Sequence, residues 1–163
     1  MRNYILLMAL IANTCNANTY LPQDLDKFKK TNVCINCDLS RADLRFETQN
    51  NANLSNSLLT EVDLSFSRFF NSNFNSTILV SANLYGIKAA GSTFIASNLS
   101  QADLSKGDFS SANFSDANVS GVDFSYANLA RANITNEQLA TVKSLNCAIM
   151  PNGTIHAPDK NSC

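Results

Sequence analysis

Five cysteines and one histidine are the side chains of this 163-residue sequence best suited to redox, metal or acid–base chemistry. Cys34 and Cys37 form a Cys-x-x-Cys pair, a spacing that serves redox exchange, zinc ligation or a short structural bridge. Zinc needs two further ligands close by, whereas Cys147, His156 and Cys163 lie far along the chain. Thioredoxin-like exchange expects a βαβ context, and no such pattern surrounds the pair. Setting Cys15 aside with an N-terminal leader leaves four cysteines, which allow three pairings. Two fall near each end, so bridges Cys34–Cys37 and Cys147–Cys163 are expected. Nothing else assembles into a reactive set. The chain has no Gly-rich phosphate loop and no Ser–His–Asp pattern, and His156 stands without a nucleophile beside it. Neither a catalytic residue nor a cofactor is expected.

The compartment follows from the first residues. Arg2 precedes a short apolar run at 4–12 (Tyr-Ile-Leu-Leu-Met-Ala-Leu-Ile-Ala), and polar residues then lead to a small residue, Ala17. This is the three-part layout of a signal peptide, residues 1–17, cleaved after Ala17. The run is too short to span a bilayer, so no membrane span is expected. A lipoprotein cleaved before Cys15 is the rival reading, although Ala12, Asn13 and Thr14 suit that processing poorly. The mature protein is expected in the periplasm or outside the cell, where disulfides persist.

Composition narrows the function. Hydrophobic residues make up 45% of the chain, charged residues only 15%, and the net charge is −1. A general nucleic-acid binder would be strongly basic, so no nucleic-acid partner is expected. The missing charge is replaced by Asn, Ser and Ala, which points to internal repetition.

That repetition has a period of five. From Leu39 to Ile134 there are twenty successive repeats without a register break, and eighteen of them are centred on a large apolar residue. The residue two before each centre is usually small, as at Ala42, Ala52, Ala82 and Ala102. The residue one before is often Asn or Asp. Period five fits neither a helix nor a lone strand, but it fits a short strand plus a corner. The small and large residues point inward, the Asn or Asp outward, and two outward residues turn the chain. A single circuit cannot bury its own inner face, so circuits stack, at roughly 4.8 Å.

Runs such as Ala102-Asp103-Leu104-Ser105, Ala112-Asn113-Phe114-Ser115 and Ala127-Asn128-Leu129 resemble the A(D/N)LxX pattern of the pentapeptide-repeat family. The resemblance covers residues 37–136 and implies an all-β fold. The fold the resemblance implies is a right-handed quadrilateral β-helix solenoid with four repeats per coil, here expected to make about five coils, with short capping helices at both ends. Phe74, Phe94 and Phe114 fall in one column of such a coil. The flanks also resemble the family. Residues 18–36 read as an N-terminal helix and cap, with Leu25 and Phe28 on one side of a helix over 24–30. Residues 137–163 read as a capping helix and a disulfide-closed tail, its helix opened by a Thr135–Gln138 capping box and running to about Ser144. Some family members resemble B-form DNA and protect DNA gyrase. That reading is the alternative to an exported, non-enzymatic binding or structural module.

Function must then lie on the outside. The Asn/Asp position yields one acidic column, Asp43, Asp63, Asn83, Asp103 and Asp123. It reads either as a cation stripe, with calcium the ion that carboxylates favour, or as turn chemistry in which Asp and Asn are interchangeable. The second departure is apolar. Leu58, Phe66, Phe70, Ile78 and Val80, with Tyr85 and Ile95, occupy outward positions that are mostly filled by Ser, Asn or Thr. They are the candidate surface for a protein partner or for self-association. Gln49 is a third oddity, an amide at a core centre. Non-reducing peptide mapping of the mature protein is expected to return Cys34–Cys37 and Cys147–Cys163; free thiols, or a bridge joining the two ends, would contradict this pairing.

Overall fold

The computed structural model describes residues 20–157 and Cys163. The leader expected at residues 1–17, with Cys15, lies outside the described residues. Within them, each repeat contributes a single parallel bridge to a residue twenty positions on, from Val33 with Asn53 to Asn113 with Asn133. Four repeats therefore complete one circuit. The ladder runs both ways: the Leu44 N–H donates to the Asp63 carbonyl at 2.8 Å, and the Asp63 N–H donates to the Ala42 carbonyl at 3.0 Å.

The corners show how five residues are spent. Every fifth residue from Asn36 to Arg131 has a positive φ. At most of these corners an N–H reaches back three residues, as from Ala42 to the Leu39 carbonyl at 3.0 Å, which makes a type II turn. Only three of the corners use glycine, Gly86, Gly91 and Gly121; the others hold polar or charged residues, Ala96, or even Phe and Tyr. A side chain in this left-handed region costs about 1–2 kcal/mol, a cost that the ladder on either side of the corner offsets.

Inside, the inward residues merge into one continuous core. Phe74, Phe94 and Phe114 stack at 4.9 and 5.0 Å between ring centroids and within 6° of parallel. Phe109 and Phe124 meet this stack edge-on. Gly107 leaves space for the Phe109 ring, into which any Cβ there would project. Buried hydroxyls at the small position are satisfied locally. Thr77 and Ser97 each donate to the carbonyl three residues back at 2.7 Å. Ser72 and Ser92 instead insert into the corner of the preceding circuit, accepting from its N–H and donating to its carbonyl.

The ends depart from the repeat. The first helix, α1 (Pro22–Thr31), starts two residues before the predicted 24–30. It opens with proline in its first turn and closes on a left-handed Asn32. Its Phe28 is fully buried and stacks 6.2 Å from Phe69. Phe69 lies twenty residues after Gln49, in the same column. Gln49 is only half-buried, and Phe28 supplies the apolar ring that this circuit's own centre lacks. The ladder passes Gln49 without a bulge, its N–H donating to the Arg68 carbonyl at 2.9 Å.

At the other end, α2 (Asn136–Leu139) has the expected capping box, with Thr135 accepting from the Gln138 N–H and Gln138 from the Thr135 N–H. It stops five residues short of Ser144, because the chain must rejoin the ladder: the Gly121 N–H donates to Thr141 and the Lys143 N–H to Val122. The detour adds one residue, so the last bridges step by twenty-one, Asp123 to Ser144 and Asn128 to Ile149. Strands β1 (Ala148–Ile149) and β2 (Ile155–His156) then pair antiparallel. Disulfides join Cys34 to Cys37 and Cys147 to Cys163. Phe28→Ala is expected to cost about 3–5 kcal/mol, the usual range for a buried Phe, with amide exchange faster chiefly in the first circuit; uniform weakening along the whole rod would refute this local role.

Candidate functional site

The acidic column is assembled as an unbroken line of bridges, Asp43 to Asp63 to Asn83 to Asp103 to Asp123. Each member first performs a backbone task. Its Oδ1 accepts from the N–H two residues on: Arg45 for Asp43, Ser65 for Asp63, Tyr85 for Asn83, Ser105 for Asp103 and Ser125 for Asp123. The other faces repeat this at Asn73, Asn98, Asp108 and Asn128. Only an acceptor oxygen is required, so Asp and Asn serve equally.

Two cations offset part of the remaining charge in the column, while Asp103 is held only by the Ser105 N–H and hydroxyl. Arg45 Nη2 lies 2.6 Å from Asp43 Oδ2, and its Nε lies 4.0 Å from Asp63. The Asn83 amide donates to Asp63 at 3.2 Å, and Lys143 reaches Asp123 at 3.2 Å. Burial works against ionisation of Asp123, but hydrogen bonds from Ser125 and Lys143 hold its pKa below the usual carboxylate range. The hydrogen bond from Arg45 pulls that of Asp43 down to about 2. Among the described residues, no three His, Cys, Asp or Glu side chains group as a metal site.

The apolar residues read from the sequence do not form one patch. Leu58 and Ile78 are bridged neighbours on one side of the rod, 43% and 39% exposed, with half-buried Val80 at the adjoining corner. Phe66 sits at the next corner, beyond the acidic column, and is 50% exposed. Half-buried Phe70 lies one corner further, under the Arg68 guanidinium at 5.2 Å from its ring. Phe46 escaped the sequence reading although it is the most exposed large hydrophobic among the described residues, at 69%. It lies one circuit from Phe66, and their rings stack at 5.5 Å. Sorting all outward residues into twenty-residue columns, rather than scanning for local clusters, reveals this pair.

Two family models match the chain: one described as a pentapeptide repeat region covers residues 67–144, and one described as pentapeptide repeats (8 copies) covers residues 34–75. The chain belongs to the pentapeptide repeat family. Its fold is accordingly a right-handed β-helix. No curated protein matches this pentapeptide repeat protein. Among solved structures, a pentapeptide repeat protein from the Arabidopsis thaliana thylakoid lumen is 31% identical. The match covers 61% of this chain and 66% of that one, with a TM-score of 0.48. HetL, a pentapeptide repeat protein from Nostoc sp. strain PCC 7120 involved in heterocyst differentiation regulation, is 27% identical over 76% of this chain and 51% of its own, with a TM-score of 0.43. The chain thus spans just under two thirds of the first protein and about half of the second. The Nostoc protein alr5209 is 14% identical over 76% of this chain and 94% of its own, and its TM-score of 0.54 reflects the shared fold.

The Asp43–Arg45 pair makes a pH prediction. Its carboxyl titrates below the unfolded value of roughly 3.9, so its contribution to stability is present above that pH and is lost as pH falls through about 2. The Asp43 carboxyl carbon is expected to titrate near 2 by NMR and to move up toward the unfolded value in Arg45→Gln. The same midpoint in both proteins would contradict the assignment.

Proposed function

We propose that this pentapeptide repeat protein is an exported, non-enzymatic binding or structural module, acting in the periplasm or outside the cell. In this reading residues 37–136 form a quadrilateral rod of about five coils, with helical segments covering both ends. The observation that carries the binding role is the directly bridged pair Leu58 and Ile78. Both are exposed at positions that the repeat elsewhere fills with polar residues. They add nothing to the core. Burying such side chains against a partner contributes roughly 1.5–3 kcal/mol each, less the cost of association. Self-association through this face is the simplest case, since a two-fold dimer is the commonest symmetry.

The compartment is supported by the two disulfides, which persist where conditions are oxidising. Among the described residues no helix is long and apolar enough to cross a membrane. The gyrase-protection alternative finds little support in the surface. DNA carries about one negative charge per 1.7 Å of its axis, whereas this chain has a net charge of −1 and its acidic column is interrupted by the neutral Asn83 and offset in part by Arg45 and Lys143.

Two measurements test the reading. The mature protein is expected to begin at Asn18 and to fractionate outside the cytoplasm; an uncleaved cytosolic chain would revive gyrase protection. Leu58→Asn with Ile78→Asn should abolish self-association or partner capture while leaving the melting temperature nearly unchanged. An already monomeric protein whose partner profile ignores both substitutions would remove this face as the contact.

A further inference from the structure

A second edge of the rod carries a different chemistry. At the corner column 46, 66, 86, 106 and 126 stand Phe46, Phe66, Gly86, Lys106 and Tyr126, all with positive φ. Bulky residues rarely accept this backbone, and here the rings are also held out in water. Phe66 stacks on Phe46 and leans over Gly86, and it meets the Tyr85 ring edge-on at 5.2 Å. Phe46, Phe66 and Tyr85 thus form a continuous aromatic line along three successive circuits, with Lys106 Nζ placed 5.2 Å over the Tyr85 ring.

Beside this line runs a cationic one. Arg68 and Lys88 are bridged neighbours on the adjoining face, and both are exposed. Several other cations are matched with carboxylates, Lys29 with Glu47, Lys30 with Asp26, Arg41 with Glu61, Arg45 with Asp43 and Lys143 with Asp123, while Lys27 in α1 and Arg131 in the last circuit each stand apart, exposed. Among the described residues, none of Arg68, Lys88 and Lys106 has a carboxylate within salt-bridge distance. Arg68, Lys88 and Lys106 thus flank two exposed rings, Phe46 and Phe66, and the half-buried Tyr85, on a molecule whose net charge is −1.

We propose that this edge is the docking line for an acidic amphipathic segment of a partner protein, with carboxylates over Arg68, Lys88 and Lys106 and apolar side chains over Phe46 and Phe66. The proposal rests on the binding-module reading and names the partner's chemistry. Charge decides among the occupants. A second copy related by a two-fold axis across the rod would set these cations against each other, and one related by an axis along the rod would set them against Asp43 and Asp63, which Arg45 already holds. A flat anionic bilayer would also meet the acidic residues on either side, Asp108 in the Lys88 column and Asp63 beyond the corner. A segment one helix or strand wide lies along the aromatic corner and the Arg68–Lys88 face, and meets one carboxylate, Asp108, next after Lys88 on that face. On a helix, carboxylates at i and i+4 recur about every 6 Å, close to the rise of one circuit, roughly 4.8 Å.

The test uses the full chain and a synthetic amphipathic helix with Glu on one face and Leu on the adjoining one, followed by fluorescence anisotropy. Binding is expected, weakening as salt rises. It should fall about tenfold or more, some 1.4 kcal/mol, in Phe46→Ser with Phe66→Ser, and again in Arg68→Glu with Lys88→Glu. Leu58→Asn with Ile78→Asn should leave it unchanged. Circular dichroism checks that each variant still folds, and the two pairs fail independently if one does not. An unbound peptide, or binding indifferent to both pairs, overturns the proposal. So does phosphatidylglycerol-vesicle binding that both pairs abolish while the peptide stays unbound. Any of these results leaves the Leu58–Ile78 face, and the binding-module reading with it, to stand or fall by its own test.

Discussion

The twenty-residue hydrogen-bond ladder governs this protein. Each straight segment exchanges N–H and C=O groups with the circuit before and the circuit after, as Asp63 does with Ala42 and Leu44 on one side and Val62 and Leu64 do with Asn83 on the other. That pairing works only if every corner consumes the same number of residues, which is why the left-handed turn residue recurs at every fifth position. The ladder imposes the backbone conformation on residues that would not choose it. Phe46, Glu61 and Arg131 turn the chain as Gly86 does. Local preference is overruled by its neighbours above and below, the usual economy of stacked repeats.

A division of labour follows between the two sides of the chain. Inward positions are constrained in volume, so Gly107 and Phe109 share the space that one residue of each size requires. The Asn/Asp position is constrained more loosely: an acceptor oxygen there braces the corner where it is present, yet Leu58, Arg68, Ile78 and Lys88 hold the same bridge without one. Corner residues are constrained in neither respect. Charge, aromaticity and exposure vary most at these corners, and it is there and on the flat bridge positions that recognition can be built without disturbing the stack.

The repeat itself was legible because burying one face of every circuit forces the same inward residues to recur. The step of twenty was legible through Phe74, Phe94 and Phe114, whose rings do stack. What remained hidden depended on contacts between segments distant in sequence. Gln49 reads as a flaw in the core until Phe28 arrives from α1 to cover its column. The capping box at Thr135 marks where α2 starts, yet the pull of the ladder on Thr141 and Lys143 decides where it stops. On the surface, apolar residues were visible individually, but which of them share an edge depends on the circuit. The acidic column likewise reads as a run of repelling charges until Arg45 and Lys143 are placed beside it.

The uniform spacing of the bridges also bears on how such a rod is made. Almost every long-range backbone contact from Val33 to Asn133 joins residues twenty apart, so no circuit waits for a distant part of the chain. Loop-closure entropy is the same small increment at each step, and assembly can proceed like a zip, each finished circuit templating the next. The Cys34–Cys37 bridge spans three residues and can close before any circuit is complete. A chain emerging from its N-terminus, from a ribosome or through a membrane channel, therefore offers its folding edge first and keeps little unpaired strand exposed while the rest arrives.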